Sequence, residues 1–275
     1  MKFPFVLRAL LASAFVSCVA AAPAQAASPL KTVEAGKLTY GVAATFAPFE
    51  FTKGGQLTGF DIDLVAAVAK QMGVAPAPQN MQFSGLIPAL QGGRLDMINS
   101  AMYITPARSA QVDFVPYLRI GDRVIVQASN PAKITGRDDS ICGKNLAVTL
   151  GGIEETYARA DVERCKAAGK PAPTVMTLPT AQDSALSLRQ GRADAIYNST
   201  PGTVQLMTEV PGVYQAVGGE FEQTTTIGFA VRKGDAATAA ALKDALAKVV
   251  AQGTYQQLID KWKLPASVSI FGAAK

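Results

Sequence analysis

The sequence contains no histidine, so the side chain that most often serves as a general base near neutral pH is absent. This excludes His-dependent triads and His-ligated zinc sites. The basic residue best placed for chemistry is Arg108, which follows a predicted strand and a turn at Pro106. A guanidinium there can hold a carboxylate through two parallel charge-assisted hydrogen bonds. The alternative is an ordinary solvated arginine on the surface.

Two loops carry further candidates for contact with a ligand. Phe46 follows a strand in a segment that Pro48 prevents from continuing regularly, and such a ring is not needed to cover a helix. Gly151 and Gly152 precede a predicted helix, so free amides and the positive end of that helix can meet an anion. The alternative is that the two glycines only permit a tight turn.

The elements that position these residues alternate between strands and helices. Residues 38–42 have the period of a strand, and residues 61–72 have the period of a helix that Asp61 caps. Residues 95–101 read as a short buried strand, and residues 146–150 predict another strand before a helix over 154–168. The alternation predicts an α/β architecture with mostly parallel sheets, in which ligands bind at the strand ends.

One short motif occurs twice in the sequence. The first copy begins at Gly93 and the second at Gly191, which is 98 residues further along the chain. Each glycine begins a G-R-x-D-x-I segment after a helix. The spacing is too long for a solenoid repeat and suits two similar lobes. Chance also produces such matches, so the motif alone does not decide between one lobe and two.

The composition bounds the class of protein. The chain has 275 residues, of which 49% are hydrophobic and 17% charged, enough for one or two packed domains. It has 26 basic and 21 acidic residues, and two of the basic ones, Lys2 and Arg8, lie in a removable leader. The remaining excess of positive charge is small and scattered, so we expect no binding of nucleic acid.

Residues 1–26 read as a signal peptide. A basic start is followed by an apolar stretch and by the cleavage motif Ala24-Gln25-Ala26, which predicts an exported, periplasmic protein. No later stretch approaches the about 20 apolar residues of a membrane span, so we expect the mature protein to be soluble. Cys18 lies in a weak match to the box at which lipoproteins are acylated, which leaves a lipid anchor as an alternative.

Two cysteines remain after the leader, Cys142 and Cys165. Because the compartment permits oxidation, we expect them to form a disulfide bond. Two buried free thiols are the alternative.

Several segments, read in order, resemble one family. In the first half they are Gly41-x4-Phe46-Ala47-Pro48-Phe49-Glu50-Phe51, Gly59-Phe60-Asp61-Ile62-Asp63-Leu64, Gly85-Leu86-Ile87-Pro88-Ala89-Leu90, Ile104-Thr105-Pro106-Ala107-Arg108 and Val112-Asp113-Phe114-x2-Tyr117. In the second half they are Cys142-Gly143-Lys144-x-Leu146-Ala147-Val148, Gly191-Arg192-Ala193-Asp194-Ala195, Ile227-Gly228-Phe229-Ala230-Val231-Arg232-Lys233 and Gly253-Thr254-Tyr255-x6-Lys261-Trp262. Over about residues 36–265, the chain resembles the polar-amino-acid group (family 3) of bacterial periplasmic solute-binding proteins.

The resemblance implies a two-lobed α/β fold, the venus flytrap, with two hinge crossovers. Lobe one would comprise residues 36–122 plus 224–268, and lobe two residues 123–223. A monomer would capture an amino acid or a related carboxylate-bearing small molecule between the lobes and deliver it to the permease of an ABC importer in the inner membrane. Closure would be stabilised by the ligand's greater affinity for the closed form. The resemblance implies no cofactor and no metal.

The resemblance also assigns a ligand-binding set. In the family, the arginine at the position of Arg108 holds the α-carboxylate of the ligand, and aromatic residues at the positions of Phe46 and Phe83 flank its side chain. The full set is Arg108, Phe46, Phe83, Ser100, Ala101, Tyr103, Gly151, Gly152 and Ser199.

Four positions depart from the family pattern. Ser199 and Ala43 stand where aspartates are usual, and Tyr103 and Gly152 stand where small hydroxyl residues are usual. A buried ammonium without a carboxylate partner is strongly disfavoured. Either a glutamate compensates, or the ligand lacks an ammonium and the positive local charge favours an anion. The candidate glutamates are Glu50, Glu154 and Glu222.

An enzyme is the main alternative to a binding protein. Periplasmic cyclohexadienyl dehydratases have a similar sequence pattern, and Glu154 could be the general acid that such a reaction needs. The same glutamate can simply be stabilised by the helix dipole at a helix N-terminus. A sensor domain is a third class, which would require a membrane segment after the second lobe, and we expect none.

Overall fold

The computed structural model describes Met1 and residues 31–272. The predicted signal peptide and Cys18 lie outside the described residues. Within residues 31–272, no helix combines the length and the apolar composition that a membrane span requires.

The described residues form strands and helices that alternate along most of the chain. The strands are β1 (Lys37–Val42), β2 (Thr45–Phe46), β3 (Glu50–Lys53), β4 (Gln56–Thr58), β5 (Ala75–Asn80), β6 (Met97–Ile98), β7 (Val112–Arg119), β8 (Asp122–Gln127), β9 (Asn145–Thr149), β10 (Thr174–Leu178), β11 (Ala195–Ser199), β12 (Tyr214–Phe221) and β13 (Thr226–Arg232). The α-helices are α1 (Phe60–Met72), α2 (Leu86–Gln91), α3 (Pro106–Ser109), α4 (Ile153–Ala167), α5 (Ala181–Arg189), α6 (Thr200–Glu209), α7 (Ala236–Ala251) and α8 (Thr254–Lys261).

Two five-stranded sheets form the centres of two lobes. The first has the order β5-β1-β6-β13-β7 and the second the order β10-β9-β11-β8-β12. The chain passes from the first sheet to the second between Arg119 and Asp122, and it returns between Phe221 and Thr226. The fold is therefore the two-lobed α/β architecture predicted from the sequence. The exact limits of the lobes stay a prediction.

The sheets are mixed, so the expectation of mostly parallel sheets is wrong. Within each sheet the strands on one side pair in parallel, as β1 does with β5 and β6, and β9 does with β10 and β11. The long strands next to the crossovers pair antiparallel, as β13 does with β7 and β12 with β8. The reason is the connection, because a chain that leaves one sheet and returns to it must run back in the opposite direction.

The repeated G-R-x-D-x-I motif has the same structural role in both lobes. The Asp96 carboxylate accepts a hydrogen bond from the Thr39 amide of β1 at 2.8 Å. The Asp194 carboxylate accepts one from the Asn145 amide of β9, also at 2.8 Å. In each lobe the aspartate therefore ties the start of the third strand in the sheet to its parallel neighbour, which explains why the motif occurs twice.

The predicted disulfide bond is confirmed. Cys142 and Cys165 are bonded, with their Cα atoms 5.7 Å apart and a sequence separation of 23 residues. The bond joins the segment before β9 to the last turn of α4, within the second lobe.

Candidate functional site

A narrow cleft lies between the two lobes, with a free volume of about 40 Å³. The first lobe lines it mainly with the loop after β1 and with the segment after β6. The second lobe contributes the end of β9 and the first turn of α4. The lining residues are Ala43, Thr45, Phe46, Glu50, Phe83, Ser100, Ala101, Tyr103, Thr149, Gly152, Ile153, Glu154 and Ala181. Six of the nine residues predicted from the sequence are among them.

Arg108 joins the two lobes and contacts two residues that line the cleft, Phe83 and Tyr103. Its side chain is almost completely buried, and one guanidinium nitrogen donates to the Tyr103 carbonyl at 2.8 Å. The other terminal nitrogen donates to the Gly151 carbonyl of the second lobe, also at 2.8 Å. Burial lowers the pKa of Arg108, while the negative charge of Glu154 opposes this effect. The guanidinium of the first lobe therefore contacts the second lobe directly, although it does not itself line the free space of the cleft.

Local sequence explains the position of Arg108. Thr105 caps α3, because its hydroxyl accepts a hydrogen bond from the Arg108 amide, and Pro106 occupies the start of the helix, where its fixed backbone angle is favourable. The short helix directs the arginine back against the ring of Phe83, whose centroid lies 5.3 Å from the guanidinium carbon. This stacking fixes the plane of the charged group.

The two glycines before α4 differ from the expectation. The Gly151 amide donates to Glu155 at 2.8 Å, and the Gly152 amide donates to the Thr149 carbonyl at 3.0 Å. The amides of these two glycines are therefore occupied, and the contact of an anion with the positive end of α4 stays a prediction. The Glu155 carboxylate and the Thr149 carbonyl already accept the hydrogen bonds of these two amides. Gly151 has a positive φ of 76°, and it is its carbonyl oxygen that faces Arg108.

Ser100 and Ala101 lie in the cleft, where the chain leaves β6. The Ser100 hydroxyl accepts from the Ala43 amide and donates to the Glu50 carboxyl group, both at 3.0 Å. The Ala101 amide donates to Asp61 at 2.7 Å. These contacts place buried acidic groups directly under the cleft floor.

Tyr103 fills part of the space that a smaller side chain would leave open. It is buried, and its hydroxyl donates to Asp122 at 3.1 Å at the first crossover. Burial and the charge of Asp122 raise the pKa of Tyr103 well above its ordinary value. The tyrosine therefore stays protonated and acts as a donor at the base of the hinge.

Ser199 does not line the cleft. It is completely buried, and its hydroxyl accepts the Gly202 amide at 3.0 Å as the cap of α6. A serine that caps a helix is common, and this role is sufficient to explain its presence. Of the sequence-predicted set, Ser199 is the residue that the structure keeps apart from the others.

Four buried carboxyl groups surround the cleft, and sequence reasoning anticipated only two of them. Glu50 and Glu154 line the cleft, whereas Asp61 lies beneath it and Asp122 lies at the crossover. Asp61 does not cap α1 as predicted; it accepts hydrogen bonds from the Tyr117 hydroxyl at 2.6 Å and from Ala101. Nothing in the sequence around Asp61, which follows a Gly-Phe pair, indicates that its side chain is buried. Glu222, the third glutamate considered, is half-exposed and pairs with Arg137.

Burial raises the pKa of each of these four carboxyl groups. The Asp61 pKa rises to about 6, mainly through burial, although hydrogen bonds from Tyr117 and Ala101 oppose the rise. The Glu50 pKa rises well above its ordinary value because the group is buried beside Asp61. Burial also raises the Glu154 pKa, and the positive charge of Arg108 opposes that rise. The sequence predicted a cleft with an excess of positive charge. The structure instead places Arg108 near carboxyl groups whose raised pKa values favour the protonated form.

Among the residues that the structure describes, three of these four carboxyl groups have one oxygen that accepts no hydrogen bond from a backbone, hydroxyl or basic group. Within the described residues, one carboxyl oxygen each of Glu50, Asp61 and Asp122 makes no hydrogen bond to a protein group other than a neighbouring acid. Glu50 and Asp61 hydrogen-bond to each other through their carboxyl groups, so a proton held by Glu50 satisfies both. Of the three, only Asp122, at the crossover, has a carboxyl oxygen without such a partner in the described part of the chain.

The sequence is similar to those of known binding proteins. The L-cystine-binding protein TcyJ of Escherichia coli K12 is 30% identical over 234 residues, covering 84% of each chain. The ABC transporter arginine-binding protein 1 of the same organism is 31% identical, covering 83% of this chain and 91% of the relative.

Solved structures match the whole fold as well. An ancestral arginine-binding protein with bound arginine has a TM-score of 0.76 and 34% identity, covering 82% of this chain and 98% of that one. An ancestral amino-acid-binding protein described as a precursor of cyclohexadienyl dehydratase has a TM-score of 0.71 and 32% identity, covering 82% and 95%. Residues 38–265 match the profile of the bacterial extracellular solute-binding proteins, family 3, and the chain belongs to that family.

Proposed function

We propose that the protein is the substrate-binding component of an ABC importer and captures an α-amino acid or a close derivative between its lobes. The observation that carries the proposal is Arg108, a buried guanidinium of the first lobe that contacts the second lobe through the Gly151 carbonyl. A group in this position can bind a carboxylate and sense closure at the same time.

The guanidinium has a defined task in this mechanism. A ligand carboxylate is a stronger acceptor for Arg108 than a neutral carbonyl, because both partners are then charged. The carboxylate takes the hydrogen bond that Gly151 accepts here, or shares the guanidinium with it. Since the carboxylate interacts with groups of both lobes only when they are close, binding shifts the population towards the closed form.

Glu50 and Glu154 are proposed as the partners of the ligand ammonium. Both line the cleft, one from each lobe, so they replace the aspartates that are missing at Ala43 and Ser199. An ammonium beside either group favours its ionised form, and the proton held by the buried carboxyl is then released. This supports an ordinary amino-acid head rather than an anion without an ammonium. Phe46 and Phe83 then contact the side chain of the ligand.

The location and the partner follow from the same assignment. The predicted signal peptide over residues 1–26 supports export to the periplasm, with acylation at Cys18 as the alternative route to the same side of the membrane. We propose the permease of an ABC importer as the macromolecular partner, and a monomeric binding protein with lobes at 36–122 plus 224–268 and at 123–223.

Calorimetry with a panel of L-amino acids tests the proposal. The panel contains arginine, cystine, histidine and glutamine, which relatives or their structures bind. We expect at least one to bind, and we expect Arg108→Ala to weaken it by roughly 2–5 kcal/mol. Arg94→Ala, an exposed arginine of the same lobe, is the control and should leave the affinity unchanged. Binding that survives Arg108→Ala, or a preference for the deaminated analogues, would argue against the proposal.

A dehydratase is the second candidate, because one observation favours it. Glu154 lies in the cleft next to the charge of Arg108, and burial raises its pKa so that it can act as a proton donor. The reaction would be loss of water and carbon dioxide from a cyclohexadienyl carboxylate such as prephenate. Incubation of the purified protein with prephenate separates the two functions. Formation of phenylpyruvate that Glu154→Gln abolishes would identify an enzyme, and binding without product a receptor.

A further inference from the structure

A second cavity adjoins the cleft inside the second lobe. It lies between α5 and α6 against β11, and its volume of about 360 Å³ exceeds the cleft's volume of about 40 Å³. The two spaces share lining residues, which are Thr45, Phe46, Thr149, Glu154 and Ala181. The side cavity therefore continues the cleft towards the surface of the second lobe, where Gln182, Leu186 and Arg189 are exposed.

The side cavity is elongated. Its lining includes both Ala181 and Arg189, the first and last residues of α5, and with a rise of 1.5 Å per residue these positions lie about 12 Å apart. Gly202 and Val210 mark the corresponding ends of the other wall. A single amino acid held at Arg108 would leave most of this length empty.

The middle of the side cavity combines apolar walls with two free amides. Leu186 and Leu206 supply aliphatic surface from the two helices. The side-chain amides of Gln182 and Asn198 also line the space, and neither donates or accepts a hydrogen bond among the residues that the structure describes. An amide group in a ligand offers both a donor and an acceptor, which is the complement of such side chains.

The far end of the side cavity carries charge. Arg189 lines it, and within residues 31–272 its guanidinium forms no ion pair. Glu209 also lines that end, but it already accepts a hydrogen bond from Gln205 at 2.7 Å. Both side chains are exposed at this open end. A guanidinium recognises a carboxylate best, so a ligand that extends to Arg189 would end in a carboxylate.

We propose that the side cavity is a second ligand subsite, so that the protein takes a two-ended amino-acid derivative. The α-amino-acid head lies in the cleft at Arg108, an amide-bearing chain runs between α5 and α6, and a distal carboxylate pairs with Arg189. This inference rests on the proposed function, because it needs Arg108 as the anchor of the head group.

The test uses three probes that differ in one feature at a time. L-Glutamine has the head and one amide, γ-L-glutamylglycylglycine adds the chain and the distal carboxylate, and the C-terminal amide of that peptide removes only the distal charge. By calorimetry we expect the acid to bind about tenfold or more tightly than either of the others, since one charge-assisted contact is added.

Variants separate this inference from the proposed function. Arg189→Ala should reduce the affinity for the peptide acid about tenfold and leave that for glutamine within about twofold, because only the distal contact is lost. Arg192→Ala, an exposed arginine just after α5 that does not line the cavity, is the matched control and should change neither affinity. Arg108→Ala should abolish the binding of all three probes.

Two results would overturn the second subsite and leave the proposed function standing. One is that glutamine or another single amino acid binds as tightly as the peptide acid. The other is that Arg189→Ala leaves the peptide's affinity unchanged. If no probe and no single amino acid binds at all, the proposed function fails together with the subsite.

Discussion

The buried acid Asp61 makes the stability of the unliganded protein depend on pH. Its pKa rises from an ordinary value of 3.8 to about 6 in the folded protein, chiefly through burial. Between these pH values the folded state binds more protons than the unfolded state, so the free energy of unfolding decreases as the pH rises. The difference between 3.8 and about 6 corresponds to about 3 kcal/mol for this one group.

Neighbouring acids act in the same direction. Glu50, Asp122 and Glu154 also have raised pKa values, so each adds to the loss of stability as the pH rises. Asp138 has a lowered pKa, which affects stability only at a pH below its ordinary value of 3.8. Above about pH 4, the buried acids therefore determine the slope.

Urea unfolding from pH 4.5 to 8 measures this effect. We expect the free energy of unfolding to decrease across the range, and Asp61→Asn to reduce the slope. Glu50→Gln should reduce this slope as well, because glutamine resembles protonated glutamic acid in shape. This second variant replaces Asp61→Asn in the test if Asp61→Asn does not fold. Glu163→Gln changes an exposed acid of α4 and should keep the wild-type slope. Stability that is constant or increases with pH, or slopes equal to wild type in both variants, would refute the reasoning.

Three other predictions concern single contacts. Replacing Cys142 and Cys165 by serine should lower the free energy of unfolding by about 3 kcal/mol, because a loop of this length is no longer closed in the unfolded chain; equal denaturation midpoints would contradict this. Ser199→Ala should cost about 1 kcal/mol through loss of the α6 cap and leave ligand affinity unchanged, as thermal unfolding and calorimetry can show; a large loss of affinity would place the serine in the site after all. Gly151→Ala should destabilise the protein by about 1 kcal/mol or more, because its φ of 76° is unfavourable for alanine, and unfolding midpoints above wild type would exclude the strain.

Much of the fold could be predicted because its signals are local. The strand predicted over residues 146–150 is observed at Asn145–Thr149, and the helix predicted over 154–168 is observed at Ile153–Ala167. Hydrophobic periodicity and a terminating glycine are sufficient for such elements. The prediction of mostly parallel strands was wrong, because strand direction depends on how the chain crosses between the lobes. The strand predicted over 95–101 shortens to Met97–Ile98 because Asn99 onwards turns towards the cleft.

The candidate site could be predicted only where a motif fixes the position of a residue. Arg108 is recognisable from the Thr-Pro turn that starts its short helix. The charge of the cleft was not predictable, because Glu50 is held by Ser100 and Asp61 by Ala101, which lie 50 and 40 residues further along the chain. The contact between Glu155 and the Gly151 amide was not predictable either, since Glu155 looks in the sequence like an ordinary helical glutamate.

The central claim is that Arg108 anchors a carboxylate-bearing amino-acid ligand between the lobes. Native mass spectrometry of gently purified wild-type protein and of Arg108→Ala tests it most directly, because a tightly held ligand survives purification and its mass identifies its class. The account predicts a wild-type adduct with the mass of an amino acid or an amino-acid derivative, and no adduct on the Arg108→Ala protein. The same adduct on both proteins, or a wild-type adduct that carries no carboxylate, would contradict it.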